Sequence, residues 1–152
     1  METVRLFFLY LAIAFSFGGF SFYAAVVVPI GSNVFDATSQ GFITQQVTNI
    51  INVASAVTLF TLVWEGLASR HRRSPSQNTI FVGLLATYAI CLTALFMIHP
   101  QLDALLDNEN LSVEAPDKFY NLHRVYLWVS TIEWLATIGL IWLIASKKLS
   151  KI

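Results

Sequence analysis

The sequence predicts an all-α fold: an integral membrane four-helix bundle with antiparallel up-down order, formed by one transmembrane domain over residues 1–152. Hydrophobic residues make up 56% of the chain and charged residues only 12%, and the mean hydropathy is +0.65. These values lie far from those of a typical soluble domain. Four apolar runs also reach the length of about 20 residues that is needed to cross a hydrocarbon core of about 30 Å.

The first two predicted spans cover residues 6–30 and 48–68. Pro29, Gly31 and Ser32 are expected to end the first helix. Its apolar run of about 25 residues exceeds the 7 to 15 of a signal-peptide core, which favours a retained span over a cleavable signal peptide. The second helix is expected to begin before its span, near Phe42, with polar first turns.

The other two predicted spans cover residues 80–98 and 125–145. Ser76 or Asn78 is expected to cap the third helix, and Pro100 to end or bend it because proline removes a backbone donor. Residues 101–107 place Leu102, Leu105 and Leu106 beside Asp103 and Asp107, which predicts a short interfacial helix after the third span. Pro116 suits the first turn of the fourth helix. A helix from Pro116 to Lys148 is about 50 Å long at 1.5 Å per residue, which exceeds the hydrocarbon core, so it should project beyond the membrane.

The charges predict the orientation in the membrane. Arginines and lysines flank one side of the spans, whereas the connections on the other side are mostly acidic. By the positive-inside rule both termini are cytoplasmic and the acidic connections face out, as in a bacterial-type inner membrane. Glu65 should be wetted or paired near the cytoplasmic surface. The basic residues on the predicted cytoplasmic side are Arg5, Arg70, Arg72, Arg73, Lys147, Lys148 and Lys151, and the three lysines form a C-terminal anchor.

Polar side chains recur along one face of the fourth span, at steps of three and four residues. The most notable is Glu133, because a lipid-facing carboxylate would be costly. A second polar stripe occupies the outer part of the second helix, and helix arithmetic places Ser55 at the same depth as Glu133. The two stripes predict either an outward-opening pocket or a hydrogen-bonded seam between helices. The candidate residues are Asn49, Asn52, Ser55, Tyr126, Ser130 and Glu133.

Histidines at the outer boundary suggest a different site. His99 closes the third span, His123 opens the fourth, and Asp103 lies one turn after His99. Two imidazoles and a carboxylate are able to bind a metal ion, and two histidines on facing helices are able to hold haem b. No further metal-binding motif supports this pattern, so no metal or cofactor is predicted outright.

Several short segments resemble those of a known family. Gly18-Gly19, Val26-Val27-Val28-Pro29, Gly41, the run from His99 to Leu105 and Phe119-Tyr120-Asn121-Leu122-His123 are similar to the small four-span domain-of-unknown-function proteins related to transmembrane protein 205. That resemblance implies the four-span architecture. Arg124, where a small residue is common, and the deep Glu133 depart from the family pattern.

The function expected from these features is non-enzymatic: the protein binds or scaffolds another membrane component. Its expected partners are the lipid bilayer and other membrane protein subunits, for which it would be an accessory subunit. The formal net charge of zero argues against nucleic acid. Two alternatives stay open, a small transporter or ion-binding protein that uses Glu133 and a haem or metal redox protein that uses His99 and His123.

Overall fold

Four long helices form almost the whole molecule, which confirms the all-α prediction. The structure, a computed structural model, describes residues 2–107, 109–110 and 112–149. Each helix is long and apolar enough to cross a membrane. Lys151, part of the predicted C-terminal anchor, lies outside the described residues. The helices are Glu2–Val34, Ala37–Ala68, Pro75–Asp103 and Pro116–Leu149.

The first helix contains two π-helical segments, Ala14–Gly18 and Tyr23–Val27, and it continues past Pro29 to Val34. The prediction that Pro29, Gly31 and Ser32 end it was therefore wrong. A proline ring removes one backbone donor and crowds the preceding turn. The wider π turn directly before Pro29, in which the Val28 amide donates to the Tyr23 carbonyl, gives that ring room within a continuous helix.

Side-chain caps fix the starts of the second and third helices. Asp36 accepts hydrogen bonds from the amides of Thr38 and Ser39 at 2.9 and 3.0 Å. Ser74, rather than Ser76 or Asn78, caps the third helix and forms a capping box with Gln77. These side chains satisfy amides that have no partner within their own helix.

The connection after the third helix differs from its prediction. That helix continues through Pro100 to Asp103, and the predicted interfacial helix is replaced by a small antiparallel pair, Leu106–Asp107 with Ser112–Val113. The Asp107 carboxylate accepts from the amides of Glu109 and Asn110 at 2.9 and 3.1 Å. These bonds stabilise a tight turn, and the backbone of that turn cannot at the same time continue as a helix.

Contacts between neighbouring helices follow an antiparallel order. Arg5 pairs with Glu65 at 2.7 Å, so Glu65 is paired as expected, although by the first helix rather than by the nearby arginines. Farther along the same two helices, Tyr23 donates to Thr44 at 2.8 Å. We call the end that holds Arg5 and Arg72 the arginine end, and the end that holds Asp36 and Asp103 the acidic end.

The arginine half of the bundle has a tightly packed apolar core. Leu9, Leu62 and Leu140 are fully buried there, on the first, second and fourth helices. Gly66 allows the ring of Phe81 to approach closely, since a Cβ atom at Gly66 would lie 2.9 Å from it. Asn52, Ser130 and His99 are buried in the other half, and the site lies there.

Candidate functional site

Glu133 lies inside the bundle with only 7% of its surface exposed. The side chains of Ser55 on the second helix and Tyr88 on the third lie close to its carboxyl group. The Tyr88 hydroxyl also donates to the Ser55 carbonyl oxygen at 3.0 Å. The carboxyl therefore lies at the junction of three helices, inside the bundle.

A small cavity of about 30 Å³ adjoins this carboxyl group. This volume exceeds the about 10–15 Å³ that one water needs. All four helices contribute to its wall, which is polar around Glu133 and apolar elsewhere. We call it the inner cavity; its lining comprises Ser16, Phe17, Phe20, Thr48, Ile51, Asn52, Ser55, Tyr88, Leu95, Tyr126, Ser130, Glu133, Trp134 and Thr137.

Asn52 and Tyr126 connect the second and fourth helices beside this cavity. The Tyr126 hydroxyl donates to Asn52 Oδ1 at 3.1 Å. Asn52 is 3% exposed, and its Nδ2 atom has no hydrogen-bond partner within the part of the chain that the structure describes. A buried amide donor without a partner is costly, so this atom is available to an occupant of the cavity.

The first helix closes the site through hydroxyl and aromatic contacts. Ser16 Oγ and Thr58 Oγ1 lie 2.8 Å apart, and the indole of Trp134 donates to Ser21 Oγ at 2.8 Å. The rings of Phe17 and Trp134 stack with centroids 5.3 Å apart. These contacts hold the first helix against the second and the fourth.

A much larger cavity of about 410 Å³ lies towards the acidic end. Phe20, Thr48, Tyr126 and Ser130 line both cavities, so the two adjoin. Its wall combines apolar side chains with amide, hydroxyl and imidazole groups. We call it the outer cavity; its remaining lining comprises Tyr23, Ala24, Val28, Gln40, Gly41, Thr44, Gln45, His99, Leu102, Asp103, Leu106, Phe119, Tyr120, His123 and Leu127.

Both ring nitrogens of His99 have partners at the edge of the outer cavity. Nδ1 lies 3.0 Å from Asp103 Oδ2. Nε2 lies 3.0 Å from the Gln45 carbonyl oxygen and 3.3 Å from Thr48 Oγ1. This arrangement fixes the imidazole orientation and connects the third helix to the second.

His123 lines the same cavity from the fourth helix, with its ring stacked on Phe119 at a centroid distance of 5.9 Å. Among the residues that the structure describes, no three His, Cys, Asp or Glu side chains are grouped to hold a metal ion. Haem or metal binding by His99, Asp103 and His123 stays a prediction.

Gln40 points its amide into the region between the first and second helices. It is 8% exposed, and its Nε2 atom has no hydrogen-bond partner within the described residues. A Cβ atom on Gly31 would collide with this side chain. The glycine therefore leaves the space in which the Gln40 amide sits.

The structure brings five of the six candidate pocket residues together around the inner cavity: Asn52, Ser55, Tyr126, Ser130 and Glu133. Asn49 is the exception, because it is exposed and lines neither cavity. Sequence reasoning missed Ser16, Tyr88 and Gln40. The only signal for Ser16 and Tyr88 was the polar group itself, because neither has a hydroxyl, amide or charged side chain three or four positions away.

Comparison of the chain with protein-family models, curated proteins and solved structures finds no match. The resemblance to the proteins related to transmembrane protein 205 is not tested by these comparisons and stays a prediction. The candidate site therefore rests on the geometry of the two cavities.

Proposed function

We propose that the protein is a non-enzymatic integral membrane protein whose outer cavity binds an amphiphilic membrane component. The observation that carries this proposal is the cavity of about 410 Å³ at the acidic end. Sites for small molecules usually measure about 300–1,000 Å³ and combine apolar walls with a few polar groups. A lipid-soluble molecule with a small polar head fits both the size and the lining.

The position of the cavity supports access from the bilayer. Ala24 on the first helix and Tyr120 and Leu127 on the fourth line it and are exposed. The mouth therefore lies between these two helices, on a surface that would face lipid in a membrane. A ligand that enters there meets apolar walls first and the polar side chains deeper in.

The polar groups in this cavity are suited to orient a head group. The Gln40 amide offers a buried donor without a partner, and Asp103 Oδ1 offers a buried acceptor without one within the described chain. Tyr23 and Thr44 form a hydroxyl pair at 2.8 Å beside them. A head that carries both a carbonyl and a hydroxyl or amide group would satisfy these atoms.

The proposed orientation follows from the charges. The arginine end lies in the cytoplasm with both termini, and the acidic end lies outside, as in a bacterial-type inner membrane. The bound component then sits in the outer leaflet. A role as an accessory subunit of a larger membrane complex is part of the same proposal, since no catalytic motif requires the protein to act alone.

The proposal is tested by filling the cavity. Gly41 lines it, and a Cβ atom there has nothing within 4 Å, so Gly41→Phe projects a ring into the space. Gly83 is equally open but lies on the exposed surface of the third helix, which makes Gly83→Phe the matched control. All three proteins are purified in mild detergent, and their bound molecules are identified by native mass spectrometry.

We expect an amphiphile to accompany the wild type and Gly83→Phe and to be absent from Gly41→Phe. Equal retention by the two variants, or no bound molecule in the wild type, would overturn the proposal. The same samples test the haem and metal alternative, which the shared cavity of His99 and His123 keeps open. A Soret band or a stoichiometric bound metal that is lost in His123→Phe would favour that alternative.

A further inference from the structure

We infer that the inner cavity is a binding site for a small monovalent cation, held by the Glu133 carboxylate. This inference concerns a different cavity from the proposed amphiphile site and does not depend on it. It rests on three properties of the inner cavity: its uncompensated acid, its excess of oxygen acceptors and its closed end.

No cationic side chain neutralises Glu133 among the residues whose side chains the structure describes. Arg5 pairs with Glu65, and Arg72 pairs with Glu2, both at 2.7 Å and both at the arginine end. Arg73 lies over the ring of Phe81, also at that end. A carboxylate buried in an apolar span without a counter-charge is costly, and a bound cation removes that cost.

Three hydroxyl groups in the cavity wall donate their protons to backbone carbonyls. Ser130 donates to the Tyr126 carbonyl and Thr137 to the Glu133 carbonyl, each at 2.9 Å. Tyr88 donates to the Ser55 carbonyl. Each of these hydroxyl oxygens therefore turns only lone pairs towards the cavity. The wall is rich in acceptors, which suits a positively charged occupant.

The unpartnered Nδ2 atom of Asn52 is a donor in the same wall, and it suits the oxygen of one water beside the ion. A volume of about 30 Å³ has room for an ion and such a water. Carboxylate and hydroxyl oxygens are the ligands that hard cations prefer. With a single carboxylate present, a monovalent ion leaves the site neutral, whereas a divalent ion would leave a buried positive charge.

Access to this site is one-sided. Below Glu133, towards the arginine end, Leu9, Leu62 and Leu140 are fully buried in a packed apolar core. Above it, Thr48 and Tyr126 line both cavities. An ion therefore enters and leaves through the outer cavity, past the His99–Asp103 pair.

Few other titratable groups face Glu133. Tyr88 on the third helix and Tyr126 on the fourth line the inner cavity with it, and Cys91 lies three residues beyond Tyr88. The first and second helices present hydroxyl and amide groups to the cavity, including Ser16 and Asn52. Effects of pH on the site should consequently reflect competition between protons and the cation at Glu133.

The full-length protein in nanodiscs provides the test. Thermal unfolding is measured in NaCl, KCl, NH₄Cl and choline chloride at equal ionic strength and fixed pH, and ²²Na⁺ binding is measured by scintillation proximity. We expect at least one small cation to raise the unfolding temperature relative to choline. Glu133→Gln should abolish this shift and weaken cation binding at least about tenfold.

Two further variants keep the test decisive. Thr137→Val preserves shape while removing one oxygen, and it should weaken binding several-fold in a folded protein. Glu65→Gln removes the other buried acid and should retain the cation-dependent shift. A shift confined to NH₄Cl would support the site and identify ammonium as its ion.

Three results would overturn the inference: no cation effect beyond choline, an effect that Glu133→Gln retains, or a response to pH alone without bound ion. Gly41→Phe separates the two proposals. Loss of the amphiphile with retained cation binding leaves the cation site intact, whereas loss of cation binding in Glu133→Gln leaves the amphiphile site intact.

Discussion

Arg5 Nε donates to Glu65 Oε2 at 2.7 Å across the first two helices, and the side chains are only 11% and 6% exposed. Such a pair is expensive to break, because removing one partner leaves a buried charge uncompensated. The pair therefore fastens the first helix to the second at the arginine end.

We expect Glu65→Gln to lower the free energy of unfolding by about 3–5 kcal/mol, measured by thermal or denaturant unfolding in detergent. The double variant Arg5→Met with Glu65→Leu should recover most of that loss, since both charges are then gone. Glu2→Gln is the control. Its pair with Arg72 has side chains 51% and 52% exposed, so the change should lower stability far less than Glu65→Gln does.

Tyr126→Phe removes the hydroxyl that donates to Asn52 Oδ1. The buried Asn52 amide would then lose this partner while its Nδ2 atom already lacks one, so we expect destabilisation of about 1–3 kcal/mol. Tyr120→Phe changes an exposed hydroxyl on the same helix and should stay within about 0.5 kcal/mol of the wild type. Equal unfolding midpoints for the two variants would contradict the role given to this hydrogen bond.

Gly31→Ala should displace the Gln40 side chain, because the new methyl group would occupy its place. Gln40 lines the outer cavity, so its displacement should alter the site and lower the amount of co-purified amphiphile. Gly18→Ala meets nothing within 4 Å, and the higher helix propensity of alanine should stabilise it by up to about 1 kcal/mol. Unchanged binding in Gly31→Ala would mean that the Gln40 amide does not contribute to recognition.

Asp36, in the connection between the first two helices, should make stability depend on pH. Hydrogen bonds from Ser39 and Thr38 lower the pKa of this carboxyl below its ordinary value. Its contribution is therefore complete above the pKa of the unfolded chain, about 3.9, and is lost as the pH falls through the lower folded pKa. Asn is an equally good cap, so Asp36→Asn should flatten the profile of unfolding temperature below pH 4 while leaving that at pH 7 nearly unchanged.

The sequence was a good guide to the helices and to the facing stripes, because periodicity of three and four residues reports directly on a helix face. Ser55 and Glu133 line the same cavity, which agrees with the equal depth that helix arithmetic predicts. Asn49 lies at the other edge of the polar arc, about 120° from Ser55 at 100° per residue, and it is exposed. Small rotations of a helix decide which edge of a polar arc is buried, and composition does not record them.

Other features depend on contacts that one sequence cannot reveal. Ser16 and Tyr88 have no hydroxyl, amide or charged side chain three or four positions away, so they produce no periodic pattern, although both line the inner cavity. The segment after the third helix has the spacing of an amphipathic helix, but the Asp107 carboxylate stabilises a turn instead. Local hydrogen bonding of aspartate competes with helix formation there.

The closed apolar floor beneath Glu133 has an electrical consequence. In a membrane that holds a potential, a positive charge that descends from the acidic end to Glu133 crosses part of the transmembrane field, whereas the packed leucines prevent it from crossing the rest. Complete crossing is worth about 2.3 kcal/mol per elementary charge at 100 mV, and a partial descent gains a fraction of that energy. In the proposed orientation, a cell interior that is negative relative to the outside would draw the ion towards the carboxylate. Occupancy of the site would then follow the membrane voltage without any ion being carried across.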